Sequence, residues 1–169
     1  MDKIRLICFS RDRSSQLDLL LRSLQKNAPD VFDIRVIYKA SNDDFEQGYD
    51  KLWKLCLEDN YPCPIHFIPE TNFRRQTEEL LDSPHKLTCF ATDDSILYKP
   101  FTEKLQRDAQ ELLNYSNVLC YSLRLGANIT HENYYGGRAV PDVRFDLTGN
   151  SLVWVWKPYL GTSFGYPLS

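Results

Sequence analysis

The sequence predicts an α/β fold whose mainly parallel sheet is covered by helices on both faces. Short apolar runs alternate along the chain with segments in which apolar residues recur at helical spacing. Strands that alternate with helices imply right-handed crossovers, and such crossovers build parallel sheets. With 169 residues, of which 43% are hydrophobic, the chain suits one domain with a substantial core.

Two units of strand and helix open the chain. Residues 4–10 and 34–38 are predicted to be strands because each run is short and apolar. A helix is predicted after each run, since apolar side chains then recur three or four positions apart. The residues predicted to face inward from these two helices are Leu17, Leu20, Leu21, Leu24, Phe45, Tyr49, Leu52, Trp53 and Cys56.

Further units of the same kind follow. Residues 64–68 are a short third strand, and Thr71 is the predicted N-cap of the next helix. Residues 86–92 are apolar, β-branched and aromatic, which predicts a buried fourth strand. Another helix begins at Thr102 and precedes a predicted strand at 118–123. The inward residues of the third helix are predicted to be Phe73, Thr77, Leu80 and Leu81.

The pattern changes near the end of the chain. Residues 127–138 are polar and aperiodic, which predicts a long loop. The alternation over 143–147, a turn at Gly149-Asn150 and the β-rich run 152–156 together predict a β-hairpin. The predicted organisation is an α/β domain over 1–126, extended by the loop and hairpin of 127–169.

Composition excludes several classes of partner. The net charge is −3 and there is no block of Lys or Arg, which argues against binding to nucleic acid or to an anionic membrane. Neither a signal peptide nor a run of transmembrane length is present, so we expect a cytoplasmic protein. The five cysteines lack a metal-binding spacing and are expected to be buried thiols.

An acidic pair is the most informative feature of the sequence. Asp93 and Asp94 directly follow the predicted fourth strand, and Ser95 follows them. Two adjacent carboxylates are costly to desolvate unless a cation compensates them, and a hard divalent ion with oxygen ligands is a natural candidate. The alternative is turn chemistry, in which the side-chain oxygens satisfy backbone N–H groups.

Polar loops are expected to meet the acidic pair at one cleft. Ligands of open parallel sheets bind outside the carboxyl ends of the strands, near the N-termini of helices. Residues 10–13, 41–44, 70–75 and 93–95 follow the four predicted strands. The sequence therefore predicts a cleft in which several arginines accompany the two carboxylates.

The chain resembles glycosyltransferases of the GT-A type, close to the family 2 enzymes of the Rossmann-like nucleotide-diphospho-sugar transferase superfamily. The resemblance spans nearly all of the region of strands and helices. It rests on Phe9-Ser-Arg-Asp-Arg13 after the first strand and on Phe90-Ala-Thr-Asp-Asp-Ser95 after the fourth. The second segment resembles the DxD motif, although Thr92 or Ser95 stands at one acidic position.

The resemblance implies a nucleotide-sugar donor, a UDP- or GDP-sugar, bound with Mn²⁺ or Mg²⁺. Asp94 would be the direct metal ligand, Asp93 would contact ribose or a metal-bound water, and His131 would be a third ligand. The acceptor would be a glycan, a lipid or a protein. The residues expected to bind the nucleotide sugar are Ser10, Arg11, Arg13, Ser41, Asp43, Arg74, Arg75 and Asp93.

An inverting transferase also needs a carboxylate that deprotonates the acceptor hydroxyl. Asp142 and Asp146 are the catalytic candidates, with Glu132 as a third acidic residue of this region. Under the alternative interpretation, the two aspartates are solvent-facing hairpin residues and His131 is a surface residue. A wall for sugar stacking, or simple core packing, is predicted for Tyr134, Tyr135, Trp154 and Trp156.

Several alternatives stay open at this point. The four arginines of the cleft could belong to solvated helix faces, and Asp43 could be an N-cap. A nucleotidyltransferase is disfavoured because residues 10–13 contain no glycine. Since enzymes of this family usually run beyond this length, the rival function is a truncated or inactive domain that binds a nucleotide sugar without turnover.

Overall fold

A computed structural model describes residues 2–58 and 64–115, together with the backbone of residues 145–148 and 151–154. The chain divides into two compact units, Met1–Glu103 and Lys104–Ser169. The predicted strand at 118–123 and the predicted loop at 127–138 lie outside the described residues, as does the predicted domain boundary at 126. No helix of the described part is long and apolar enough to cross a bilayer.

Strands and helices alternate in the first unit as the sequence predicts. The strands are β1 (Ile4–Arg11), β2 (Phe32–Lys39), β3 (Ile65–Pro69) and β4 (Thr88–Thr92). The helices are α1 (Ser14–Asn27), α2 (Asp43–Glu58) and α3 (Phe73–Leu81), followed by α4 (Glu103–Leu113).

Two further strands belong to the second unit. They are β5 (Phe145–Thr148) and β6 (Ser151–Trp154), which pair antiparallel. Residues 149–150, which join them, lie outside the described part, so the hairpin stays a prediction.

The four strands of the first unit form a parallel sheet in the order β3-β2-β1-β4. The central strand is β1, which pairs with β2 from Ile4 opposite Phe32 and with β4 as far as Phe9 opposite Thr92. Strands are added outward from β1 to β3, and the chain then returns to place β4 on the other side of β1. This reversal creates a switch point between β1 and β4, where ligands of such folds bind.

One face of the sheet is covered by α1 and α2. Alternate side chains of β1, from Ile4 to Cys8, join the core, because successive side chains of a strand point to opposite faces. The four leucines predicted to face inward from α1 are all buried, and so are Tyr49, Leu52 and Cys56 of α2. The helical spacing of apolar residues in the sequence therefore correctly predicted most of the side chains that α1 and α2 bury on this face of the sheet.

The opposite face is covered by α3. Phe9 of β1 packs against Phe73, with ring centroids 4.9 Å apart. Farther along the helix, Arg5 Nη1 lies 3.5 Å from the carbonyl oxygen of Leu80. The prediction of helices on both faces of a parallel sheet is thus confirmed for this unit.

The N-cap prediction for α3 is wrong by one residue. The side chain of Asn72, not that of Thr71, accepts a hydrogen bond from the Arg75 N–H, at 3.0 Å. The Gln76 amide reaches back and accepts the N–H groups of both Thr71 and Asn72, at 2.9 Å each. Both residue types are good caps, and the reciprocal contact of Gln76 favours the start at Asn72.

Three residues predicted to face inward are instead exposed, by between 37% and 46%. They are Phe45, Trp53 and Leu81. Phe73 is 48% exposed, but its ring packs against Phe9 of the sheet as predicted. The buried residues of α2 are Tyr49, Leu52 and Cys56, which are spaced three and four positions apart and form a narrow stripe facing the sheet. The fourth strand, predicted to be buried, is only partly buried along its whole length, because β4 ends the sheet that the described residues form.

The described cysteines are free thiols, in line with the prediction. Cys8 and Cys56 are buried, and Cys89 is partly buried. Burial raises the pKa of Cys89 to about 11, so its side chain stays a neutral thiol at physiological pH.

A buried ion cluster lies beneath α3, near the amino ends of β1 and β2. The Asp33 carboxylate lies 3.0 Å from Arg5 Nη2, 3.1 Å from Arg35 Nη2 and 3.0 Å from His85 Nε2. The other nitrogen of His85 lies 2.9 Å from the Lys3 carbonyl oxygen, so the ring donates to both partners only when both nitrogens carry protons.

The surrounding charges decide the ionisation of Asp33. Burial alone would raise its pKa, but the hydrogen bond and charge of Arg35, the hydrogen bond of His85 and the charge of Arg5 outweigh burial and lower it. Asp33 therefore stays ionised in the folded protein, where it compensates the buried Arg5 and the partly buried Arg35.

We expect Asp33→Asn to destabilise the protein by about 3 to 5 kcal/mol, because it leaves the buried Arg5 and the partly buried Arg35 without their counter-ion. The measurement is urea unfolding at neutral pH. The matched control is Asp18→Asn, which breaks a surface pair with Arg22 and should cost no more than about 0.5 kcal/mol. Equal losses in the two variants would contradict a structural role for the cluster.

The same cluster predicts how stability depends on pH. Because the folded-state pKa of Asp33 lies below its ordinary value of 3.8, its contribution is present above that value and is lost as pH falls through the folded-state pKa. Unfolding measured from about pH 6 down to about pH 3 should show a shallower acid loss in Asp33→Asn than in the wild type. An unchanged slope would contradict this assignment.

Candidate functional site

The acidic pair lies at the carboxyl edge of the sheet, beside the switch point between β1 and β4. The Asp93 N–H donates to the Phe9 carbonyl oxygen at 3.1 Å, which continues the ladder one residue beyond β4. The side chain of Asp93 thereby lies on the same face of the sheet as that of Ser10. Asp93 is only 4% exposed, so its carboxylate depends on partners within the protein.

A directional chain of hydrogen bonds supports Asp93. The Ser10 hydroxyl donates to Asp93 Oδ2 at 2.9 Å, and the Tyr49 hydroxyl lies 2.7 Å from Ser10 Oγ. Since serine has one proton to donate, Tyr49 must donate to Ser10. The backbone N–H of Arg13 in turn donates to the Tyr49 hydroxyl at 3.1 Å. A backbone amide of the loop after β1 is thus linked through two hydroxyls to the carboxylate.

The protonation of nearby groups fits this direction. Burial raises the pKa of Tyr49; the hydrogen bonds to Ser10 and Arg13 oppose the rise, and the charges of Asp93 and Asp12 add to it. The hydroxyl therefore keeps the proton that it donates. Burial and the charges of Asp93 and Asp94 likewise raise the pKa of Cys8 far above its ordinary range, so the thiol is not a nucleophile.

Arg13 faces both carboxylates of the pair. Its Nη1 atom lies 3.6 Å from Asp93 Oδ1 and 3.8 Å from Asp94 Oδ2. The remaining oxygens accept from hydroxyl groups, Asp93 Oδ2 from Ser10 and Asp94 Oδ1 from Thr92 at 2.6 Å. Each carboxylate thus turns its other oxygen toward the same cation.

The two aspartates differ in exposure because of the turn that follows β4. The Ser95 N–H donates to the Thr92 carbonyl oxygen at 2.9 Å, and the Ser95 hydroxyl lies 3.1 Å from Thr92 Oγ1. Turn chemistry is therefore present, and Thr92 and Ser95 supply much of it. The side chain of Asp94 stays 60% exposed, next to the buried Asp93.

Asp12 joins the loops that follow β1 and β2. Its backbone has φ 57°, a left-handed conformation that Asp tolerates better than most residues. The Asp12 N–H donates to the Lys39 carbonyl oxygen at 3.0 Å, and Oδ1 accepts the Ser41 N–H at 2.7 Å. Of the predicted ligands, Ser41 is thus brought to this edge through Asp12, while the exposed Arg11 lies 3.9 Å from the Asp12 carboxylate.

The approach of α1 and α2 places Tyr49 over the end of β1. Gly48 permits this approach, since a Cβ atom added there would lie 2.5 Å from the Ser14 hydroxyl oxygen. Ser14 is the first residue of α1, directly after the loop that holds Arg13. A larger residue at position 48 would require the Ser14 side chain to move.

Other predicted ligands lie apart from the acidic pair. Arg74 and Arg75 are exposed on α3 and form ion pairs of 2.8 Å with Glu78 and Glu79 along the same helix. Within the described residues, neither has a recorded contact with Asp93 or Asp94. Their role as phosphate ligands stays a prediction.

Asn42, rather than Asp43, is the side-chain cap of α2. Asn42 Oδ1 accepts the Phe45 N–H at 3.1 Å, and Asp43 is the first residue of the helix. The N-cap alternative for Asp43 is therefore wrong, because the amide one position earlier already fills that place. Asp43 is exposed in the first turn, where its charge favours the helix dipole.

The remaining candidates lie outside the described residues. They are His131, Glu132, Tyr134, Tyr135, Asp142 and Trp156, together with the side chains of Asp146 and Trp154. Among the His, Cys, Asp and Glu residues that the structure describes, no group of three could hold a metal. Beyond the acidic pair, further ligands of a metal would come from water, from a bound substrate or from residues outside the described part, where the predicted ligand His131 lies.

Sequence reasoning missed two residues that organise the site. The helical spacing predicts only that Tyr49 faces inward, whereas in the structure its hydroxyl lies above the end of β1 and bonds to Ser10. Asp12 belongs to the segment after β1, and nothing in the sequence indicates its contact with Ser41. The available sequence signal for Tyr49 is its hydroxyl group, because a tyrosine that faces inward usually has a hydrogen-bond partner for that group.

The described residues form an α/β fold with a four-stranded parallel sheet, and polar loops lie at its switch point. The chain is 33% identical over 159 residues to the bifunctional glycosyltransferase pgtA of Dictyostelium discoideum. The match covers 88% of this chain but only 19% of that protein. The chain is thus a distant homologue of part of a glycosyltransferase. No protein-family profile and no solved structure gives a match.

We expect Tyr49→Phe to cost about 1 to 3 kcal/mol of unfolding free energy, because it removes the donor of the buried hydrogen bond to Ser10 and the acceptor of the part-buried Arg13 N–H. Urea unfolding at neutral pH measures the loss. The control is Tyr98→Phe, which removes the same hydroxyl from a side chain that is 75% exposed and should change little. Equal stability of the two variants would contradict the hydrogen-bond chain.

Proposed function

We propose that the chain is a glycosyltransferase domain that transfers a sugar from a UDP- or GDP-sugar, with Mn²⁺ or Mg²⁺ held at Asp94 and Asp93. The observation that carries this proposal is the pair of carboxylate oxygens that face one cation position beside the switch point. Its second support is the homology to a bifunctional glycosyltransferase.

The acidic pair suits the way in which Mg²⁺ and Mn²⁺ bind next to phosphates. Such ions bind one or two protein carboxylates, and water molecules and substrate phosphates complete their coordination shell. Asp93 would be a fixed ligand or would hold a metal-bound water, because Ser10 and the protein interior restrain it. Asp94 is exposed and would be the direct ligand.

The donor would lie along the carboxyl edge, with its diphosphate near the acidic pair. Arg13 is the proposed phosphate ligand, since a guanidinium can donate two hydrogen bonds to phosphate oxygens. The further proposed contacts of the nucleotide sugar are Ser10, Arg11, Ser41, Asp43, Arg74 and Arg75.

Transfer would form a bond between the acceptor oxygen and the anomeric carbon, while the bond from that carbon to the phosphate oxygen breaks. The diphosphate leaves with the bonding electrons, and the divalent ion would supply charge stabilisation there. The proton of the acceptor hydroxyl passes to a base, for which Asp142 and Asp146 are proposed. The acceptor would be a glycan, a lipid or a protein.

Arg13 has two roles in this proposal. Without a ligand, its guanidinium partly neutralises the acidic pair and stands near the position of the ion. With a donor bound, the same group would pair with the diphosphate and leave the carboxylates to the ion. Its side chain is 53% exposed, which leaves room for this change.

The second candidate function is binding of a nucleotide sugar without turnover. Its support is that Arg13, Asp93 and Asp94, which would bind the donor and the metal, lie together at one edge of the described sheet. Binding and turnover separate experimentally, because calorimetry detects a bound nucleotide and release of free nucleoside diphosphate detects transfer or hydrolysis. The proposed donor ligands belong to both functions, whereas the proposed base belongs only to the first.

We expect Asp94→Ala to abolish the dependence of nucleotide binding on Mn²⁺, because it removes the exposed carboxylate of the proposed metal site. The measurement is calorimetry with a panel of nucleoside diphosphates, with and without Mn²⁺. Asp18→Ala, on the surface of α1, is the matched control and should keep the dependence. Absence of nucleotide binding to the wild-type chain under all conditions would exclude the proposed function.

We expect Arg13→Gln to have opposite effects on two ligands. Mn²⁺ alone should bind more tightly, because a competing positive charge is removed, and a nucleoside diphosphate should bind about tenfold more weakly. Calorimetry with each ligand separately measures both effects. Arg22→Gln, which removes the same charge from the outer side of α1, should change neither affinity. Weaker Mn²⁺ binding in Arg13→Gln would contradict the shared cation position.

A further inference from the structure

A second cavity lies between α2 and the edge strand β3, and no residue of the acidic pair lines it. Its volume is about 310 Å³, near the lower end of the range for small-ligand sites. Four of the six described residues that line it are aromatic, and the side chain of Trp53, in the middle of α2, is 46% exposed. The lining residues are Tyr38, Tyr49, Asp50, Trp53, Phe67 and Pro69. We call this cavity the aromatic groove.

The inner wall of the aromatic groove is already fixed. The ring centroids of Tyr38 and Tyr49 are 4.4 Å apart, and the Phe67 ring packs edge-on against Tyr38 at 6.3 Å. Both hydroxyls have partners, since Tyr38 donates to Glu46 at 3.0 Å and Tyr49 is bonded to Ser10. Neither ring needs to reorient before a ligand binds, which lowers the entropic cost of binding.

The charge around the aromatic groove is negative. Asp50 lines it, Glu46 is bonded to one of its rings, and neither lysine nor arginine occurs among the described residues of its lining. Burial, the hydrogen bond to Glu46 and the charges of Glu46 and Asp50 together raise the pKa of Tyr38 to about 12. A positively charged guest would relieve this field, and an anionic guest would be repelled.

We propose that the aromatic groove binds an organic cation of the alkylammonium class, with the charged group against the Trp53 ring and the Asp50 carboxylate. Aromatic faces carry negative electrostatic potential, and tryptophan attracts cations most strongly. The two carboxylates add to that attraction. A neutral sugar ring could stack on the same faces but would gain nothing from the net negative charge. The inference does not depend on the proposed transferase function.

The test titrates the whole chain with tetramethylammonium and choline, and follows the indole signals by NMR. We expect saturable binding that weakens as ionic strength rises. The uncharged tert-butyl analogue of choline has the same shape without the charge, so it should bind about tenfold more weakly. Equal binding of the analogue, tighter binding of a neutral monosaccharide, or absence of saturation would overturn the proposal.

Variants locate the binding to the aromatic groove. Trp53→Ala should weaken choline binding about tenfold, and Asp50→Asn should weaken it several-fold. Glu58→Gln removes one negative charge from the end of the same helix and should leave the affinity unchanged. Trp53→Phe keeps an aromatic face and guards against loss of folding, so its affinity should fall between those of the wild type and Trp53→Ala. Unchanged binding in both Trp53 variants would overturn the assignment.

Two sources of the alkylammonium group are separated by a further titration. A short peptide with one lysine is compared with the same peptide carrying trimethyl-lysine, and both are compared with choline. Tighter binding of either peptide assigns the aromatic groove to a protein side chain, and tighter binding of choline assigns it to a free small molecule. If all three bind no better than the uncharged analogue, the alkylammonium class is excluded.

Discussion

The burial of the Asp93 carboxylate is the constraint on which the carboxyl edge of the sheet depends. A carboxylate that is 4% exposed requires donors, and Ser10 and Tyr49 provide them in series. Tyr49 can reach Ser10 only because α2 lies close to the start of α1, where Gly48 leaves space for Ser14. The same hydroxyl holds the Arg13 N–H and so fixes the loop from which the guanidinium reaches the carboxylates. One buried charge is thereby linked through hydrogen bonds to a side chain of α2 and to the loop before α1.

The two buried aspartates at opposite ends of the sheet have partners of different kinds. Asp33, near the amino end, has three cationic or ring-nitrogen partners at about 3 Å, and these partners are themselves largely buried. Asp93, at the carboxyl end, has hydroxyl partners and one guanidinium at 3.6 Å whose side chain is half exposed. The cationic partners of Asp33 are shielded from solvent, whereas the guanidinium next to Asp93 is exposed enough for another cation to replace it. This contrast, rather than the presence of carboxylates alone, supports a ligand at the carboxyl edge.

Much of the described fold was predictable because its signals are local. Four leucines at helical spacing located α1, and short apolar runs located β1 to β4, since periodicity follows directly from backbone geometry. The errors arose where the answer depends on neighbours that are distant in sequence. Trp53 fits the inward stripe of α2, yet it lies beside the edge strand and is exposed. Asn72, not Thr71, is the N-cap of α3, because the Gln76 side chain reaches back to the Asn72 N–H. The acidic pair was found from its place after a strand, whereas the link from Tyr49 to Ser10 spans 39 residues and has no signature in the sequence.

On the proposed function, the single cation position also implies cooperation between metal and donor. Arg13 opposes an ion that arrives alone, because both carry positive charge, and the acidic pair opposes a diphosphate that arrives alone, because both carry negative charge. When the two ligands bind together, the ion neutralises the carboxylates and the diphosphate draws away the guanidinium, so each removes the repulsion that the other meets. Such coupling is reciprocal by thermodynamic necessity: the donor must strengthen metal binding by the same factor as the metal strengthens donor binding. The arrangement of one arginine between two carboxylates would therefore select for the metal and donor as a pair rather than for either alone.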